Sequence, residues 1–106
     1  SEGTVVFGKD DGNVIKYGLL NSSGDTLIAP TLEDARVMSE GLIAVQIKKN
    51  FGYMNMKGKM VISPNFYSAG PFKNGAATVR LAEEKYAVIN TSGKIIFGPY
   101  TQKLFD

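Results

Sequence analysis

The stretch FGYMNMKGKMVISP at residues 51–64 follows a near copy, YGLLNSSGDTLIAP at 17–30, and precedes another, YAVINTSGKIIFGP at 86–99. Sliding residues 17–47 over 51–81 gives an ungapped register at a period of 34 residues. Eight positions are identical: Gly18 and Gly52, Asn21 and Asn55, Gly24 and Gly58, Ile28 and Ile62, Pro30 and Pro64, Ala35 and Ala69, Gly41 and Gly75, Val45 and Val79. With one residue inserted, the third copy continues the pattern at Tyr86, Asn90, Gly93 and Pro99. A period of this length marks a repeat architecture, in which each supersecondary unit buries its apolar face only against its neighbours.

The phase of the unit comes from a second match. Ser1-Glu2-Gly3 aligns with Ser39-Glu40-Gly41, and Lys73-Asn74-Gly75 holds the same place in the last copy. After each Gly comes an apolar run, so the units are expected at about 3–30, 41–64 and 75–99, joined by connectors 31–40 and 65–74. The first strand of each unit alternates at period two. Val5 and Phe7, then Ile43, Val45 and Ile47, then Ala77, Val79 and Leu81 share one face, which places Gln46 and Arg80 on the solvent side.

The second strand opens on Tyr17, Phe51 or Tyr86, with Gly next in the first two copies. Gly at that place leaves room for a ring to lie across the backbone. The tetrad N-x-x-G predicts a turn, since Asn at its first position bonds the backbone two residues on and Gly supplies the left-handed closing residue. The third strand is apolar at two consecutive positions, which predicts cover on both faces. Pro30, Pro64 and Pro99 lack a donor and are expected to end each ladder. In the connectors Leu32 and Phe66 share a register, as do Met38 and Phe72, so each is expected to tuck two apolar anchors against the sheet along an irregular path. The fold class expected is all-β: three tandem three-stranded antiparallel meanders sharing one core, stacked or closed about a pseudo-threefold axis.

Composition narrows the function. The chain has 106 residues, which make one domain with a real core or a fragment of a larger array. Twelve basic against ten acidic residues leave a net charge of +2, which points away from nucleic acid. No Cys and no His are present, removing thiolate nucleophiles and metal sites, the usual general base and the commonest metal ligand. No apolar run approaches the ~18 residues of a membrane helix. Nothing reads as a signal sequence, but the chain begins at Ser1 rather than Met, and its compartment is not read from its start.

The string aromatic-Gly, two apolar residues, N-x-x-G, two apolar residues and Pro, followed by MSEGLIAV at 38–45, resembles the bacterial WG repeat, a tandem β-rich repeat named for its Trp-Gly pair. The resemblance covers almost the whole chain and is most specific in FGYMNMKGKMVISP and MSEGLIAV. Two departures stand out: Tyr17, Phe51 and Tyr86 replace the Trp, and Ala87 replaces the last Gly. The resemblance implies antiparallel β repeats, a bacterial source and an interaction role, and it carries over no catalytic residues. Choline-binding and other cell-wall-binding repeats also use aromatic hairpins with N-x-x-G, but their period is near 20 and their cages depend on Trp.

No acid–base pair is set up for chemistry. Glu33-Asp34 and Glu83-Glu84 are sequence neighbours, which on a strand point to opposite faces. Asp10-Asp11-Gly12-Asn13 lacks the twelve-residue calcium pattern ending in Glu and reads as a solvated turn. Lys48, Lys49, Lys57 and Lys59 read as solubilising residues that protect sheet edges. No cofactor and no metal is expected. The expected role is a non-catalytic module that binds or scaffolds a protein or a cell-envelope component, in an extracytoplasmic setting. The alternative is a carbohydrate-binding module with an exposed, coplanar aromatic row, and the rival from another class is a hydrolase using carboxylates alone. The expected binding surface is the connector side: Arg36, Tyr67, Lys73 and Tyr100.

Overall fold

The structure, a computed structural model, describes residues 4–10, 12–36 and 39–101. The first unit forms β1 (Thr4–Asp10), β2 (Ile15–Asn21) and β3 (Thr26–Leu32); the second forms β4 (Asp34–Ala35), β5 (Leu42–Ile47), β6 (Asn50–Asn55) and β7 (Met60–Phe66). The third forms β8 (Ser68–Ala69), β9 (Ala76–Ala82), β10 (Lys85–Asn90) and β11 (Ile95–Tyr100). Among the described residues these make three antiparallel sheets, ordered β1-β2-β3, β4-β5-β6-β7 and β11-β10-β9-β8. The expected all-β repeat is therefore present, with a correction to the connectors. They are not irregular: Asp34–Ala35 pairs with Gln46 and Val45, and Ser68–Ala69 pairs with Arg80 and Val79, adding a fourth strand to two units.

The repeated turn forms for the reason its residues give. Asn21 Oδ1 accepts from Ser23 N and Asp25 N at 2.9 Å each, and Asn55 and Asn90 accept from the two matching amides of their own turns. Gly24, Gly58 and Gly93 close the loops at φ of 88°, 82° and 85°.

The third strands depart from expectation in two ways. They do not stop at Pro: pairing resumes beyond it, Tyr17 with Leu32 and Phe51 with Phe66, after a register shift. Pro30 and Pro64 thus sit in bulges, where a missing N–H breaks no ladder bond. Nor are these strands covered on both faces. Met60 pairs with Met54 and Ile62 with Tyr53, so Val61 is the extra residue of a second bulge and lies exposed. Two consecutive apolar residues here record a bulge.

In each sheet one face, here the front, points toward the preceding unit and the other, the back, toward the following unit. One apolar cluster joins the back of the first sheet to the front of the second, with Leu19 and Leu32 meeting Ile43, Val45 and Met54. A second joins the back of the second sheet to the front of the third, with Phe51, Tyr53, Ile62 and Phe66 meeting Phe72, Ala77, Val79 and Ile89. The middle sheet is thus buried on both sides, Ala44 included, although alternation alone assigns Ala44 to solvent. Leu32, Phe66 and Phe72 are the buried connector anchors expected. Met38 lies outside the described residues.

Candidate binding face

Among the described residues, the back face of the third sheet lies open. Alternation puts Thr78 and Arg80 of β9 there beside Tyr86 and Val88 of β10, and pairing brings Phe97 opposite Val88 and Tyr100 opposite Tyr86. The places of Thr78, Tyr86, Val88 and Phe97 in the second sheet hold Ala44, Phe51, Tyr53 and Ile62, all buried, while that of Arg80 holds the half-buried Gln46. Phe97 is 55% exposed where Ile62 is 6% exposed.

The exposed rings are organised by Arg80. Its guanidinium carbon lies 4.8 Å from the Tyr67 ring centroid and 5.5 Å from that of Tyr86. Its Nη2 donates to the Glu83 carbonyl, and its Nε is buried with no acceptor. Tyr86 stacks on Tyr100 with centroids 6.0 Å apart and planes at 16°, and Phe97 tilts against Tyr100 at 5.5 Å. Cation–π contact holds a guanidinium in place while leaving some of its donors free for a partner. Beside the rings a shallow cleft of about 300 Å³ is lined by Gly70, Pro71, Lys73, Thr78 and Val88, among others.

Of the four residues expected on the binding surface, the structure gathers three around this face. Tyr67 and Tyr100 flank the Arg80 cluster, and Lys73 borders the cleft. Arg36 is used elsewhere. It lies 4.3 Å over the Phe51 ring, donates to Ala69 O at 3.0 Å and pairs with Asp34 at 3.6 Å, so it stitches the second sheet to the third. Arg80, Tyr86 and Phe97 are additions that reading by connector did not find. The register carries a signal for Tyr86 and Phe97, whose counterparts in the middle unit, Phe51 and Ile62, are buried, but not for Arg80, which aligns with the half-buried Gln46.

The junction beneath this face is held by polar groups as well as apolar ones. Tyr53 Oη donates to Gly70 O at 2.5 Å, and its ring meets Phe72 edge-on at 4.8 Å. Burial pushes the Tyr53 phenol well above its usual range, and the Arg36 charge offsets part of that rise. Ser39 Oγ donates to Phe72 O, and the Glu40 carboxylate accepts from Asn74 N and from Gly75 N, the latter at 2.8 Å. Between the first two units Thr4 Oγ1 donates to Met56 O at 2.9 Å. Beside that bond a cleft of about 450 Å³ opens between the two N-x-x-G turns, lined by Asn21, Leu27, Asn55 and Lys57 among others.

Among the described residues, no three acidic side chains gather to hold a metal ion and no helix is long and apolar enough to cross a membrane. Phe51 is buried and Tyr17 packs against a core cluster, so the repeated ring positions do not form an exposed row. The WG containing repeat family matches the chain over residues 17–50 and 51–86. No curated protein and no solved structure matches it. The chain belongs to the WG repeat family and is an all-β repeat module.

Proposed function

We propose that this WG-repeat chain is a binding or scaffolding module, and that it seats a protein or a protein-bearing envelope component on the back of its third sheet. An extracytoplasmic setting goes with that reading. The observation that carries it is the cluster Tyr67, Arg80, Tyr86, Tyr100 and Phe97, which puts aromatic rings and a preoriented guanidinium on an exposed sheet face. Tyr and Arg are the side chains that dominate the energetics of protein interfaces, and an exposed apolar patch rimmed by polar groups marks such surfaces.

The three units are read as an open stack. A closed pseudo-threefold ring would bury the front of the first sheet against the back of the third, whereas Val5 and Phe97, which represent those two faces, are 51% and 55% exposed. A carbohydrate platform is less well served, because Tyr86 and Tyr100 stack on each other and do not offer coplanar free faces.

The test is capture with cross-linking from envelope and cytoplasmic fractions, using the wild-type chain and a Tyr67→Ala, Phe97→Ala double variant. A specific component retained by the wild type should bind the variant about tenfold more weakly or worse. A captured set that both chains share unchanged contradicts the assignment.

A further inference from the structure

Each end face of this molecule repeats, position by position, one half of a junction that the chain forms internally. Each internal junction places the back of one sheet on the front of the next, and corresponding residues do so in both. Ile28 of the first unit lies against the turn glycine of the second, where a methyl on Gly58 would come within 2.8 Å of Ile28 Cγ1. Ile62 of the second unit lies against the turn glycine of the third, at 3.1 Å from a methyl on Gly93. The next term on the back side is Phe97, which is exposed. The missing term on the front side is Gly24, where an added methyl meets nothing within 4 Å. First strands repeat the pattern: Ile43 and Ala77 are 0% and 3% exposed at the front positions, while Val5 is 51% exposed at the same place.

We propose that a second copy of this chain covers the back of the third sheet, presenting the front of its own first sheet, so that Phe97 of one copy packs by Gly24 and Val5 of the next. The occupant is argued from continuity with an interface that the chain itself forms twice. The contact is heterologous, so each copy keeps one open face of each kind and association continues beyond the dimer unless the rotation per copy closes a ring. It is looser than the internal junctions for stated reasons. Lys9 and Thr26 stand at the front rim where the inner units have Ile47 or Leu81 and Met60 or Ile95. On the back, Gly70, Lys73, Asn74 and Val88 replace the Arg36, Ser39, Glu40 and Tyr53 that latch the second sheet to the third.

The proposal rests on reading the end face as a protein-binding surface, and its test separates the two ideas. Sedimentation of the purified chain is followed over a concentration series reaching about 1 mM, a range that detects weak self-association. Wild type should show mass rising with concentration. Val5→Asp and Phe97→Asp each put a carboxylate into one half of the contact and should each weaken association about tenfold or more. Both positions are solvent-exposed, so both variants should keep the wild-type melting profile. An equimolar mixture of V5D and F97D retains one intact junction and should give a heterodimer and nothing larger. A wild type that stays monomeric overturns the proposal, as does a mixture that stays monomeric. Association lost in F97D and unaffected in V5D also overturns it, because that is the signature of two back faces meeting symmetrically. If F97D loses a foreign partner while the wild type remains monomeric, self-association fails and the binding-face reading stands.

Discussion

At Gly52 the repeat shows why a residue that weakens strands is kept in one. A methyl there would meet the Ile62 carbonyl oxygen and come within 2.8 Å of Pro64 N, backbone atoms of the bulged third strand that cannot swing aside as a side chain can. Gly18 repeats this, with the Ile28 carbonyl oxygen at 2.5 Å and the Phe7 ring at 2.7 Å. The ring expected to lie across the glycine is thus present at Gly18, but the carbonyl of the bulge is the shared constraint. In the third unit Ala87 carries the methyl, and β11 runs differently: its register shifts by one residue where β3 and β7 shift by two, and Gly98 takes φ of 99°. Gly52→Ala should therefore destabilise the domain by about 1–3 kcal/mol, as overpacking against fixed atoms does. Urea unfolding checks this, and a midpoint unchanged from wild type would contradict it.

Between elements, what the sequence made legible was what repeats within a unit, and what it hid was what depends on the neighbouring unit. The N-x-x-G turns, the strand pairs and the buried Leu32, Phe66 and Phe72 follow from local patterns. The short strands Asp34–Ala35 and Ser68–Ala69 did not, because two residues carry no periodicity. The tight turns at Glu40-Gly41 and Asn74-Gly75 have both residues of each at positive φ, and only the second carries the Asn-Gly pair that signals such a turn in sequence. Arg80 reads as a solvent residue by alternation, yet its side chain is held between two rings. The junction of the second and third sheets also makes stability depend on pH through Tyr53. An unfolded Tyr ionises near pH 10, and burial raises the folded value above that. The stabilising difference is complete below pH 10 and is lost as pH rises through the folded value, with a slope approaching 1.4 kcal/mol per pH unit. Unfolding free energies at pH 9 and 11 should fall in the wild type and fall less in Tyr53→Phe. That variant starts about 1–2 kcal/mol lower, because Gly70 O loses its donor. Equal slopes in the two proteins would contradict this role for the phenol.

For the whole molecule, three similar units yield three different surfaces. The middle sheet is covered on both faces, the first is open at the front and the third at the back, so position in the stack decides whether a given repeat position is core or interface. This is why Ile28, Ile62 and Phe97, equivalent in sequence, go from half-buried to buried to exposed. The proposed binding face follows from this: a scaffold built from structural residues has its free chemistry on the sheet faces that no neighbouring unit covers. Amide hydrogen exchange at low and high protein concentration tests most directly the claim that the two end faces of neighbouring copies meet. β5 and β6 should be the slowest-exchanging strands at both concentrations, and raising the concentration should add protection only at β1–β2 with the adjoining Gly24 turn and at β10–β11. Protection that does not change with concentration, or that appears along the N-x-x-G turns and leaves the end sheets unaffected, would contradict it.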